Sequence, residues 1–314
     1  MPLSPASPDV KSSGPIDLHR VRTLFASPAR VTESDFLRRE IAARMQERLA
    51  LVKIEPQQVL DAGCGAGADL TVLQEQYPNA RILGLDASHA QLSAAREKQL
   101  TAMSSMSRLL AKWLPTKIGA SLEPVVGLSC GDFAQLPLKS HAVDLVWSNL
   151  ALHWNPQPDR VFAEWRRVLR VDGLLMFSCF GPDTFKEIRT AFSMVDDAAH
   201  VLSFVDMHDF GDMLVNAGFS TPVMDMETIT VTYDSTEKLL ADVRAWGGNP
   251  LTTRRPGLMG RHAWMRVVEA LEQSRRVDGK IPLTFEVIYG HAFRPVPKTT
   301  ASGETIVRLD LRKK

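Results

Sequence analysis

From residue 33 to 52 the chain reads ESDFLRREIAARMQERLALV, with Phe36, Ile41, Met45, Leu49 and Val52 apolar and charges between them. That spacing predicts an amphipathic helix. It leads into QQVLDAG, an apolar run ending in glycine, which predicts a strand delivered to a tight turn. ADLTVLQEQYP predicts a helix stopped at Pro78, and ARILGLDAS a second strand. In SHAQLSAAREKQL, Ser88 stands where its hydroxyl can cap the first turn of a helix. Strand, helix, strand, helix predicts a parallel sheet joined by crossovers.

The alternation continues through VVGLSCGD (125–132) and HAVDLVWSN (141–149), both read as strands, then the helix PQPDRVFAEWRRVLR (156–170) and the buried strand GLLMFSCFG (173–181). Between Leu100 and Pro124 the rhythm is interrupted by an amphipathic excursion carrying Arg108, Lys112 and Lys117. Beyond residue 182 the pattern loosens. PDTFKEIRTAF, VDMHDFGDMLVNAG, STEKLLADVRAWG and RHAWMRVVEALEQSR read as helices, with Gly218 placed as a helix C-cap. PVMDMETITVTY alternates like a half-buried strand, and LTFEVIYGHAF closes the pattern as a strand expected at an antiparallel edge. The expected organisation is a mobile leader over 1–20, one α/β domain over 21–293, and a polar tail over 294–314. Within the domain, residues 59–181 form a ligand-binding core, 101–124 an insertion and 182–280 a helical lid.

Composition changes this picture little. The 314 residues are 45% hydrophobic and 23% charged, with a formal net charge of +1. Such a balance gives no global case for nucleic acid or a membrane surface as partner. The opening MPLSPASPDVKSSGP lacks an apolar core of the kind a secretory signal has, and no apolar run approaches a bilayer span. Cys64, Cys130 and Cys179 are far apart and form no metal-binding pair, which fits a reducing, cytoplasmic setting without a metal site. Cys130 and Cys179 fall in apolar strands and are expected in the core.

The chemistry concentrates at the ends of three successive strands. Val59-Leu60-Asp61-Ala62-Gly63-Cys64-Gly65-Ala66-Gly67 sets an acid before three glycines at alternate positions, ahead of a helix. Glycine lets the backbone turn tightly and approach a ligand. The carboxylate of Asp61 suits a ligand with an ammonium and a sulfonium, whereas it would repel the pyrophosphate of a dinucleotide, whose loose fingerprint the loop also satisfies. Asp86, followed by Ala87, ends the second strand and suits ribose hydroxyls. Gly131-Asp132-Phe133 follows the third, with an acid for the adenine amine and a ring to stack on it. Asn149 ends the fourth strand. Together these favour S-adenosyl-L-methionine as cofactor.

These residues resemble the motifs of class I methyltransferases, which implies a Rossmann-like fold: a mostly parallel twisted sheet with helices on both faces. The likeness implies that Asp61, Gly63, Cys64, Gly65 and Gly67 hold the methionine end of the cofactor, that Asp86 and Ala87 flank the ribose, and that Asp132 and Phe133 take the adenine. His153 and Trp154, after the fourth strand, are candidates for the acceptor pocket.

SNLALHW (148–154), FGPDTFKEIRTAF (180–192), DMHDFGDMLVNAGF (206–219), DVRAWGGNPL (242–251) and IPLTFEVIYGHAF (281–293) go further. Together they resemble the malonyl-acyl carrier protein O-methyltransferase family of biotin synthesis, over roughly residues 20–293. The resemblance implies methyl transfer to the free carboxylate of a malonyl group on acyl carrier protein. A carboxylate is ionised at neutral pH and needs no base, and the sequence shows no dense acid–base constellation beyond the cofactor loops. Arg189 and Arg255 are then candidates to orient that carboxylate, and Arg254, Arg261, Arg108, Lys112 and Lys117 to meet an acidic carrier. Val31 stands where many members carry tyrosine. Some of the same phrases recur in a respiratory complex I assembly factor family of the same fold, which acts on a protein arginine by hydroxylation rather than methylation; that gives one alternative, and a methyltransferase with another small-molecule acceptor gives a second.

Overall fold

The computed structural model of the chain describes residues 14–28, 35–102, 126–246 and 248–297. Helix α1 (Leu18–Leu24) and helix α2 (Phe36–Ala50) precede strand β1 (Gln58–Ala62). Then follow α3 (Ala68–Gln76), β2 (Arg81–Asp86), α4 (His89–Ala102), β3 (Val126–Cys130) and β4 (Val143–Asn149). A 3-10 turn (Leu152–Trp154), α5 (Pro158–Val168), β5 (Leu169–Phe180), α6 (Lys186–Ser193) and α7 (Met207–Asn216) come next. The order closes with β6 (Ser220–Tyr233), α8 (Thr236–Ala245), α9 (Arg261–Gln273) and β7 (Ile281–Phe293).

The strands form one seven-stranded sheet in the order β3-β2-β1-β4-β5-β7-β6. β1 to β5 pair in parallel, and β7 runs antiparallel to both β5 and β6. The Rossmann-like α/β expectation is met. The order reverses between β1 and β4, and ligands of open α/β sheets bind in the crevice beyond the carboxyl ends at such a switch point. Asp61, the glycine loop and Asn149 all sit there.

Local chemistry accounts for the helices that pack on this sheet. α5 begins with Pro158, whose missing N–H costs nothing in a first turn, and ends with Arg166 and Arg167 beside the negative end of the helix dipole. It buries Val161, Phe162, Trp165 and Val168, and each fully buried large apolar side chain contributes about 1.5–3 kcal/mol. Ser88 accepts from the N–H of Gln91 as the predicted cap. Gly218 closes α7, its N–H donating to the Val215 carbonyl.

Four expectations are corrected. β7 is not an edge strand. It lies between β5 and β6 and is buried along almost its whole length, whereas β6 alternates and forms the edge. An uninterrupted apolar run marks a strand covered on both faces. In α2 the predicted Ile41, Met45 and Leu49 are buried, with Leu37 and Ala42 beside them, but Phe36 is 44% exposed, so Leu37 and not Phe36 begins the buried side. Cys130, on the outer strand β3, is exposed rather than in the core. Residues 14–20, expected within the leader, are part of the fold, with Ile16 bridged to Leu251 and α1 capped by the Asp17 side chain. The excursion at 103–125, Val31 and the tail beyond 297 lie outside the described residues.

Candidate active site

β1 delivers Asp61, 2% exposed, to the mouth of the switch point, and its Oδ2 has no hydrogen-bond partner among the described residues. Burial, then the charges of Asp69 and Asp86, push its carboxyl well above the usual carboxylate range. A cation placed there would relieve that cost. The following loop is fixed by two bonds to one acceptor, the N–H groups of Gly63 and Cys64 both donating to the Leu85 carbonyl, at 2.8 and 3.0 Å. Gly63 has φ +87° and its missing β-carbon would overlap the Ala151 side chain. Gly65 has φ +52° with open space where a β-carbon would stand, so its backbone faces the cavity bare. Gly67, at φ +72°, starts α3 and shapes the loop without lining the cavity.

Asp86 ties β2 to this loop. Its Oδ2 accepts from the Gly65 N–H at 2.9 Å and its Oδ1 from the Ser88 N–H at 2.8 Å. Burial raises its pKa and those two bonds oppose the rise. Cys64 is buried, and burial pushes its thiol up and so disfavours the thiolate. Ala87 and Phe133 line the same cavity of about 110 Å³, and the Trp165 indole N–H holds the Phe133 carbonyl at 3.1 Å. Asp132 does not line the cavity; its side chain is 35% exposed and 4.0 Å from the guanidinium of Arg22, which does.

Asn149 is buried at the floor. Its Nδ2 donates to Asp69 Oδ2 at 3.1 Å and to the Arg38 carbonyl at 3.2 Å, while its Oδ1 accepts from the Ser178 hydroxyl at 2.9 Å. Asp69, in the first turn of α3, also accepts from the Trp147 indole N–H at 2.9 Å. Burial pushes its pKa up against those two bonds.

A second cavity of about 170 Å³ lies under α6, α8 and α9, walled by aromatic side chains including Phe180, Phe192, Trp246 and Trp264. A small one of about 10 Å³ lies at the junction, lined by Leu37, Arg38, Leu150, His153, Trp154, Phe180 and Trp246. Trp154 lines all three cavities. His153 is 1% exposed, and neither ring nitrogen has a hydrogen-bond partner among the described residues. Burial, then the charge of Arg38, lowers its pKa to about 3, so the imidazole is neutral at physiological pH. The rings of Trp154, Phe180 and Phe204 surround it with centroids at 4.8, 4.9 and 5.6 Å.

Residues 60–177 match the family model of a methyltransferase domain. The chain is 46% identical over 284 residues to a malonyl-acyl carrier protein O-methyltransferase of Laribacter hongkongensis, spanning 90% of this chain and 91% of that one. A protein of the same name from Gallionella capsiferriformans is 41% identical, spanning 95% and 98%. The chain belongs to the malonyl-acyl carrier protein O-methyltransferase family. It is an S-adenosylmethionine-dependent methyltransferase. Among solved structures, the YcgJ protein of Bacillus subtilis shares the fold, with a TM-score of 0.53 at 15% identity over 81% of this chain and 98% of that one.

For a member of this family, the orphaned Asp61 oxygen, the bare Gly65 backbone and the Phe133 ring are a fit for S-adenosylmethionine. The cavity gathers Asp61, Gly63, Cys64, Gly65, Asp86 and Ala87 with Phe133, Asn149 and Trp154. The two predicted arginines are placed differently. Arg189 lines none of the three cavities, and its Nη2 donates to the carbonyls of Pro182 and Thr184 at 3.0 and 3.1 Å. Arg255 stands beside the second cavity rather than in it, its Nη1 donating to Asp196 Oδ2 at 2.7 Å. Asp196 in turn binds His200, which stacks on Phe192 in the cavity wall.

Sequence reasoning missed Arg38 and Asp69. Arg38 lines both the cofactor cavity and the junction, beside Asp35 at 3.4 Å. Its signal was present but faint: an arginine next to Leu37, the first buried side chain of α2, where the sequence pattern pointed to Phe36.

Proposed function

We propose that this chain transfers a methyl group from S-adenosylmethionine to the free carboxylate of a malonyl thioester on acyl carrier protein, an early step of biotin synthesis. The observation that carries this reading is the lining of the junction cavity: one guanidinium (Arg38), one neutral imidazole (His153), and otherwise apolar or aromatic side chains. Such a lining attracts an anion and offers no carboxylate or basic imidazole to remove a proton. An amine or hydroxyl acceptor needs that proton removed, whereas a carboxylate does not. The names of the relatives favour the same acceptor over a protein arginine.

Bound S-adenosylmethionine supplies an electrophilic methyl on a sulfonium. In this reading Asp61 and the Gly63–Gly67 loop hold the methionine end, Asp86 and Ala87 the ribose, and Phe133 the adenine face with Asp132 at its edge. Arg38 draws the acceptor carboxylate to the junction, and the single N–H of neutral His153 orients one oxygen without protonating it. Trp154 forms the wall between donor and acceptor. Fixing both partners in line is worth about 7–11 kcal/mol at best. The Phe25 ring meets Trp154 edge-on at 5.3 Å and covers the site against water. Arg189 and Arg255 stand on the cap around the acceptor side, where we assign them to the carrier-bound arm. Three free cysteines and the lack, among the described residues, of a helix long and apolar enough to cross a membrane support a cytoplasmic setting.

The test uses donor labelled in the methyl group. Malonyl-carrier should take up label that mild alkali releases as methanol, the behaviour of an ester. Label that survives alkali, or that appears equally on acetyl-carrier, would remove the carboxylate as acceptor.

A further inference from the structure

The second cavity opens beside a segment whose charge the transfer chemistry does not use. Gly248, Asn249 and Trp264 line the cavity. Between Asn249 and Arg266 the chain reads NPLTTRRPGLMGRHAWMR, with arginines at 254, 255, 261 and 266 and no acidic residue. Arg255 is paired with Asp196, but Arg254, Arg261 and Arg266 are exposed and have no carboxylate partner among the described residues. Two apolar side chains stand out among them, Leu258 at 97% and Met265 at 56% exposed.

Helix stability does not explain this arrangement. Arg261 and His262 occupy the first turn of α9, which contains no acid and whose Gly260 cap supplies no side-chain bond. Cations there oppose the helix dipole. On α9, residues three and four apart share a face, so Arg261 and Met265 are neighbours, as are His262 and Arg266. Trp264 turns to the cavity, with the Arg244 guanidinium 5.9 Å from its ring centroid. The exposed basic face thus belongs to the element whose Trp264 walls the second cavity.

We infer that residues 252–266 form the docking surface for the carrier protein, with Arg254, Arg261 and Arg266 pairing to acidic residues of the carrier and Leu258 and Met265 packing between them. This rests on the carrier-bound acceptor proposed above. The occupant follows from charge complementarity and place. A partner that delivers an arm into the second cavity must settle beside it, the exposed segment that carries its lining residues Asn249 and Trp264 is cationic and apolar, and acyl carrier proteins are acidic. Peripheral charges of this kind act on encounter more than on the chemical step, and salt screens them.

The experiment compares wild type, Arg254→Glu/Arg261→Glu and Leu258→Asp with two substrates, malonyl-carrier protein and malonyl-pantetheine. It also titrates the carrier against the enzyme and measures S-adenosylhomocysteine affinity by calorimetry. Expected for both variants are a carrier KM and Kd raised about tenfold or more, with kcat within twofold. KM for malonyl-pantetheine and S-adenosylhomocysteine affinity stay unchanged, which shows an intact fold. The salt dependence of the carrier KM should also flatten in the arginine variant. An unchanged carrier KM, or an equal rise for both substrates, overturns the docking surface. So does equal competition by an unrelated acidic protein. Wild type that methylates malonyl-pantetheine but not the carrier also overturns it while leaving the carboxylate acceptor standing. Wild type that methylates neither removes the acceptor reading itself.

Discussion

At Gly63 a β-carbon would overlap the Ala151 side chain, and the backbone sits at φ +87°. For an L-residue that conformation alone costs roughly 1–2 kcal/mol. Gly63→Ala is therefore expected to displace the loop, weakening S-adenosylhomocysteine binding by calorimetry and lowering Tm, with the sheet intact by circular dichroism. Undiminished affinity would remove the loop from the cofactor site. His153 makes a prediction of a different kind. Its folded pKa is about 3, below the ordinary value of 6.5, so between these pH values the unfolded chain binds a proton that the folded chain does not. Stability is fully present above pH 6.5 and is lost as pH falls towards 3, at up to about 1.4 kcal/mol per pH unit. His153→Phe, an aromatic ring among aromatic rings, should flatten that acid limb in denaturant titrations while transfer to malonyl-carrier falls. An acid limb as steep as wild type would contradict a buried neutral imidazole. Asp61, Asp86 and the glycines were legible in the sequence because their chemistry is local to a strand end. Arg38 and Asp69 were not, because which way they point depends on helix phase and on partners more than 70 residues away, such as Trp147 and Asn149.

At the scale of elements, α1 behaves as a clamp joining the two substrate sides. The Asp17 N–H donates to the Pro250 carbonyl at 3.0 Å, Arg20 Nε to the Asn249 carbonyl at 3.1 Å, and Thr252 N–H to the Pro15 carbonyl at 2.9 Å. At its other end the Phe25 carbonyl accepts from Ser88 Oγ and Gln91 Nε2 of the cofactor side, at 3.2 and 2.9 Å. Phe25→Ala removes a ring from the cofactor cavity wall and should weaken S-adenosylhomocysteine binding several-fold. Hydrogen exchange of α1 should speed up without a change in the β1 and β4 amides; protection of α1 equal to wild type would show that the ring does not hold the clamp. The proline- and serine-rich opening hid this element, since few apolar residues announce it and its order comes from loops more than 200 residues away. Strand β7 was misplaced for a related reason. Its continuous apolar run did signal an inner strand, but its place last in the sequence suggested an edge.

For the molecule as a whole, a net charge of +1 conceals a sharp division of labour. Carboxylates gather around the cofactor cavity, one guanidinium and a neutral imidazole line the junction, and exposed arginines crowd the segment that follows Asn249 in the wall of the aromatic cavity. Composition averages these regions away, and only folding separates them. The account that joins them is transfer of a methyl group to a carboxylate carried in from outside, with positioning rather than proton removal as the enzyme's task. The most direct measurement is intact-mass spectrometry of malonyl-carrier and acetyl-carrier proteins after incubation with the enzyme and S-adenosylmethionine. The account predicts a gain of one methyl group on the malonyl form and none on the acetyl form. No gain on malonyl-carrier, by enzyme shown calorimetrically to bind the cofactor, would contradict it.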